Sequence, residues 1–176
     1  MTRRRSHETA HRVDEHVHIG GYLAAASLRL VRGRGVTHIL KLFADDAAYA
    51  AGGSHRHPGV EYLVVAAADA PDFPLDRHFA ECLQFIQGAV RAGGQVLVHC
   101  HAGVSRSATI VLLHLMIDSG LALEAAWARL RAARPVVRPN GGFWRLLQDV
   151  DRRAARFRLE GRAPARPSLA ARGLQL

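Results

Sequence analysis

One segment constrains this 176-residue chain more than any other: Val96-Leu97-Val98-His99-Cys100-His101-Ala102-Gly103-Val104-Ser105-Arg106-Ser107. A short apolar strand, Val96–Val98, runs into a turn from Cys100 to Arg106. The turn opens into a strongly apolar helix predicted over Ala108–Asp118 and closed by Gly120. In a sheet flanked by helices, such a turn lies at the carboxyl end of a strand, where ligands bind.

The rest of the chain reads as the same alternation. Strands are predicted at Val17–Ile19, Thr37–Phe43 and Tyr62–Ala66. Helices are predicted at Leu23–Val31, Asp76–Arg91, Glu124–Ala133 and Gly142–Leu159, stopped by Gly or Pro. Residues 44–59 read as loop, with one helical turn around Asp46–Ala51. Strands alternating with helices imply an α/β fold with a central, mostly parallel sheet of about five strands. One folded unit over 12–160 is expected, between a basic tail at 1–11 and an Arg/Pro/Ala-rich tail at 161–176.

Composition narrows the classes. With 49% hydrophobic and 22% charged residues the chain can bury a core without metal or disulfide staples. Its apolar runs fall short of the roughly 18 residues of a membrane span. No apolar stretch follows the basic start, so no secretory signal is expected, and Thr2 excludes N-myristoylation. Cys82 and Cys100 cannot form a disulfide framework, which points to a reducing, cytoplasmic setting with the nucleus as second reading. The net charge is +9, but residues 1–13 and 161–176 each carry +3 of it. The excess therefore sits largely in the tails, which are read as solvated, with an acidic partner or RNA as the alternative.

The turn itself has a definite chemistry. Its successive N–H groups can form a nest for an anion, and the following helix points its positive end at the same spot. Gly103 lets the backbone bend, and Arg106 offers a planar fork for two phosphate oxygens. The field that holds a phosphate also stabilises a thiolate at Cys100, the nucleophilic form. The implied reaction is attack of Cys100 sulfur on phosphorus, through a phosphocysteine that water then cleaves. No metal or other cofactor is called for.

Cys100-x-x-Gly103-x-x-Arg106-Ser107, preceded by His99, resembles the signature loop of the protein tyrosine phosphatase superfamily. The fuller string through Ala108-Thr109 is similar to its dual-specificity branch, specifically the small atypical members. His18-Ile19-Gly20-Gly21-Tyr22-Leu23, Gly35-Val36-Thr37-His38-Ile39-Leu40 and Arg134-Pro135 with Pro139-Asn140-Gly141-Gly142-Phe143 resemble further segments of that family. The resemblance implies a protein tyrosine phosphatase-like fold and hydrolysis of phosphotyrosine and phosphoserine or phosphothreonine in protein substrates. It implies a phosphate-binding loop of His101, Ala102, Gly103, Val104, Ser105 and Arg106. It makes Asp69 the general acid, preferred because it directly follows a strand, with Asp72 as competitor. Ser107 would support thiolate release, Asn140 would steady the loop, and His99 would hydrogen-bond behind it. Lys41 stands where the family usually has Asn.

Weaker signals have plainer readings. Cys82 lies on an apolar helical face and reads as a core thiol, with a disulfide to Cys100 under oxidation as the alternative. His11, His16, His18, His55 and His57 lack a recognisable ligand spacing and read as solvated surface. Trp127 and Trp144 read as packing residues. The competing functions are an RNA 5′-phosphatase and a phosphoprotein-binding module without turnover. A phosphoinositide phosphatase is disfavoured because the loop lacks Lys or Arg beyond Arg106.

Overall fold

Side-chain alternation along the two central strands sorts the core into two layers. In β3 (His38–Lys41) and β5 (Val96–His99), Ile39 and Leu97 face one side with Ala24, Ala25 and Val31. Leu40, Val96 and Val98 face the other side and the larger core. The computed structural model describes residues 8–44 and 56–159, with backbone alone for 157–159. Among these, β1 (Ala10–Arg12), β2 (Val17–Gly20) and β4 (Glu61–Val64) complete a five-stranded sheet in the order β1-β2-β5-β3-β4. β1 runs antiparallel to β2, and the three remaining ladders are parallel.

Helices α1 (Tyr22–Ala26) and α2 (Leu28–Gly33) supply the smaller layer. The larger layer draws on α3 (Phe79–Arg91), α4 (Arg106–Asp118), α5 (Leu123–Ala133) and α6 (Gly141–Leu159). α4 is buried from Arg106 to Ile117, which explains why its sequence is apolar on every face. Phe79, Leu83 and Ile86 pack beside Cys82 in α3, and burial pushes the Cys82 thiol pKa up. Trp127 and Trp144 meet edge to face at 5.1 Å on the margin of this core. Among the described residues no helix is long and apolar enough to cross a membrane.

The α/β class and the parallel sheet follow the sequence reading, and several details depart from it. The helix expected over Leu23–Val31 is two helices. Ser27 adopts φ −79°, ψ 102°, and its hydroxyl accepts from Leu30 N–H at 3.3 Å, so it caps α2 instead of continuing α1. The helix expected from Asp76 begins as a 3-10 turn at Leu75–His78. Ala10 and His11, assigned to the N-terminal tail, belong to the sheet through the Ala10↔Gly20 and His11↔Ile19 pairs. Of the histidines read as solvated, His18 and His57 are buried and bonded to Gln95 Oε1 and the Ala25 carbonyl. The turn expected around Asp46–Ala51, His55, residues 1–7 of the first tail and the whole 161–176 tail lie outside the described residues.

α4 is tied to the start of the sheet by an ionic triad centred on the buried His114. His114 Nε2 donates to Asp14 Oδ2 and Nδ1 to Asp118 Oδ2, both at 2.7 Å. Burial disfavours the charged ring, yet bonds to Asp118 and Asp14 outweigh it and raise the His114 pKa to about 9. Burial likewise opposes the Asp14 carboxylate, but His114 and the His16 and Val17 amides hold it down at about 2. A raised His pKa stabilises the fold fully below the unfolded value of 6.5 and loses that contribution as pH climbs through about 9. The Asp14 contribution is present above 3.8 and fades as pH falls towards about 2. Urea midpoints of wild type should fall between pH 6.5 and pH 9 by the equivalent of about 2–3 kcal/mol. His114→Ala should remove that slope and lower stability at pH 6 by about 3–5 kcal/mol.

Candidate active site

Four successive carbonyls of the turn after β5 are bound from outside. His101 O accepts from Tyr22 N–H at 2.9 Å, and Val104 O from Arg138 N–H at 2.7 Å. Between them, Ala102 O accepts from Arg134 Nη2 at 2.9 Å and Gly103 O from Arg134 Nε at 2.8 Å. In a trans peptide the N–H points opposite its C=O, so this pattern turns the amides of the turn away from those donors. Gly103 sits at φ 68°, and a Cβ there would run into the backbone of Gly20 and the Arg134 guanidinium.

Ser105 occupies the cap position of α4, yet its side chain makes no capping bond. Its hydroxyl donates instead to Asp69 Oδ1 at 2.6 Å and accepts from Asn140 N–H at 3.1 Å. The first amides of α4 are thus left without a side-chain cap, as an anion site at a helix start requires. Cys100 is 1% exposed, and its Sγ lies 3.2 Å from Ser107 Oγ. Arg106 is buried and anchored through Nη1 to Leu42 O at 3.1 Å and Ala67 O at 2.9 Å. Its Nε is buried without a hydrogen-bond partner, with Asp69 Oδ2 3.7 Å away.

Asp69 reaches the turn from the segment after β4. Its Oδ1 accepts from both Ser105 and Asn140 Nδ2, the latter at 2.9 Å, while Asn140 Oδ1 accepts from Phe143 N–H at 3.0 Å and caps α6. Asp72, the competitor, is exposed, and neither Ser105 nor Asn140 bonds to it. Cys100, Ser105, Arg106, Ser107, Asp69 and Asn140 therefore form one cluster. His99 lies behind it, 1% exposed and edge-on to Phe43 at 5.6 Å, with its Nδ1 unpartnered. Burial, aided by the Lys41 charge, pushes its pKa down to about 3, so the ring is neutral. His101 is exposed and stacks on Phe43 at 3.9 Å. Lys41 is buried with its Nζ 4.5 Å from the same ring, so a cation–π contact accommodates it.

The sequence of this site, strand to cradle to buried helix, is matched by a family profile. The profile described as "Dual specificity phosphatase, catalytic domain" matches residues 17–153. The chain belongs to the dual specificity phosphatase family. Dual specificity protein phosphatase 1 of Arabidopsis thaliana is 38% identical over 141 residues, spanning 80% of this chain and 68% of that protein. The chain spans 15% of the length of another Arabidopsis thaliana relative, dual specificity protein phosphatase PHS1, at 37% identity over 142 residues. The crystal structure of human DUSP28 superposes with a TM-score of 0.72 at 34% identity, covering 79% of this chain and 90% of that one.

Within this dual specificity phosphatase domain, two contributors have roles that the sequence does not disclose, Arg134 being marked only by the Arg134-Pro135 resemblance and Phe43 only as the end of a predicted strand. Arg134 acts across 31 residues on Gly103, and Phe43 is shared by Lys41, His101 and His99. A third contributor, Gly142, is visible as a Gly pair at a helix start, but its reason is tertiary. A Cβ on Gly142 would collide with the Pro71 carbonyl and so push away the segment that carries Asp69. Gly142→Ala should cost about 1–3 kcal/mol of stability. It should also reduce turnover of an aryl phosphate more than it reduces tungstate affinity, a difference that parallel kinetics and inhibition assays would read.

Proposed function

We propose that the chain is a cysteine-dependent phosphatase acting on phosphotyrosine and phosphoserine or phosphothreonine in proteins. The observation that carries this reading is the convergence of the Asp69 carboxylate, through Ser105 and Asn140, on the loop bearing Cys100 and Arg106. The inward amides of residues 102–105 and the unpartnered Arg106 Nε offer donors to the non-bridging oxygens of a phosphate monoester. Cys100 sulfur attacks phosphorus from inside the loop, the S–P bond forms and the P–O bond to the leaving group breaks.

The leaving oxygen needs a proton at that moment. Asp69 Oδ1 already accepts two hydrogen bonds, so Oδ2 is the oxygen left to deliver a proton to the leaving group. In the second step water attacks phosphorus, its proton passes to Asp69, and the S–P bond breaks. The Ser107 hydroxyl, in contact with Sγ, donates to the departing thiolate. Phosphate and the free enzyme result. Family membership and the absence of Lys or Arg in the loop beyond Arg106 support phosphoproteins as substrates. Both thiols are free, which supports a reducing compartment such as the cytoplasm and a role in signalling there.

Purified protein should hydrolyse p-nitrophenyl phosphate without added metal. Cys100→Ser should abolish turnover, Asp69→Ala should lower kcat by about 10²–10⁴-fold, and Asp72→Ala should leave it within about twofold. Phosphotyrosine and phosphothreonine peptides should both be cleaved, and faster than a 5′-phosphorylated RNA. Faster cleavage of the RNA would overturn the protein-phosphatase reading. Capture of phosphopeptides by folded protein without turnover would make it a binding module.

A further inference from the structure

We propose that Arg134 is a positioning residue for phosphate binding, a buried guanidinium that sets the loop's amides. This rests on the reading of the loop as a phosphate cradle with Cys100 as nucleophile. Arg134 follows α5, far from the signature segment in sequence, and is 1% exposed. Its guanidinium spans two adjacent loop carbonyls, Gly103 O through Nε and Ala102 O through Nη2. The other two outward carbonyls are held by backbone amides, so Arg134 is the side chain on which this pattern depends.

The planar peptide unit carries this effect through to the ligand. The carbonyls of Ala102 and Gly103 belong to the same planar groups as the N–H of Gly103 and Val104. Fixing those oxygens on Arg134 fixes these two donors on the opposite side. A charged donor on the carbonyl also polarises the group, which strengthens its N–H as a donor to a phosphate oxygen. Two adjacent carbonyls at that spacing suit a planar fork, and a single ammonium cannot span them in the same way.

Arg134 is itself held. Its Nη1 reaches Thr9 O at 3.4 Å, and the end of its helix is tied to β1 through His11 Nδ1 and Ala133 O at 2.7 Å. Gly103 leaves room for it, because a Cβ there would lie against Nη2. Burial disfavours the cation, whereas the charge of Cys100 favours it. Because a guanidinium does not lose its proton in this environment, the charge is permanent.

Two substitutions separate geometry from charge. Arg134→Lys keeps the charge and loses the fork, and Arg134→Gln loses both. Each is compared with wild type in tungstate inhibition and in Tm. Both variants should bind tungstate about tenfold more weakly. Unchanged tungstate inhibition in a folded variant, with a lowered Tm alone, would reduce Arg134 to a structural role and overturn the proposal. A wild-type measurement covers the case in which neither variant folds. Tungstate should shift the Arg134 Nε–H resonance, through the Gly103–Val104 peptide, and an unmoved resonance would overturn the proposal. Turnover that survives Cys100→Ser would instead overturn the nucleophile reading, leaving the tungstate arm to judge Arg134 separately.

Discussion

The orientation of four peptide groups governs this molecule. Backbone carbonyls at the end of a buried parallel strand must find donors, and here residues 101–104 find theirs on the outside of the turn. The donors come from three distant places: the start of α1, the end of α5 and the segment leading to α6. Each packs where it does because the sheet and α4 provide the surface for it. The cradle is therefore a product of the whole domain, although its residues are consecutive.

Local and long-range determinants divide sharply in how they show in the sequence. Strand β5, the turn and α4 could be read because a parallel strand and a fully buried helix are apolar on all faces. Cys100 and Arg106 stood out for the same reason, being fixed in spacing by that strand and helix, whereas Ser107 drew its role from the family resemblance. Asp69 also came from that resemblance, and its place directly after a strand was the one local ground for preferring it to Asp72. The structure distinguishes them by Ser105 and Asn140, which come from two other segments.

The features that escaped the sequence share a physical character. Ala10-His11-Arg12 is too short and too mixed to show alternation, yet the ladder to β2 makes it a strand. Ser27 in an Ala- and Leu-rich run looks like a tolerated helical residue, and its side chain instead ends one helix and starts the next. His18 and His57 are polar residues that became interior by finding one specific partner each. In each case a few specific hydrogen bonds decide the outcome, and periodicity does not encode them.

At Ser105 the fold withholds one of its own bonds. A serine at the head of a helix ordinarily contributes about 1 kcal/mol by closing the first turn, and here that hydroxyl is committed to Asp69. The open end of α4 is in effect an unfinished helix, and under the proposed function an anion in the cradle would be the piece that finishes it. Substrate, product phosphate and any oxyanion of similar shape would then be folding partners as well as ligands. Their free energy of binding would add to that of the native state through mass action. On that reading the resistance of this domain to unfolding would be set in part by the phosphate around it, and would be greatest with the site occupied.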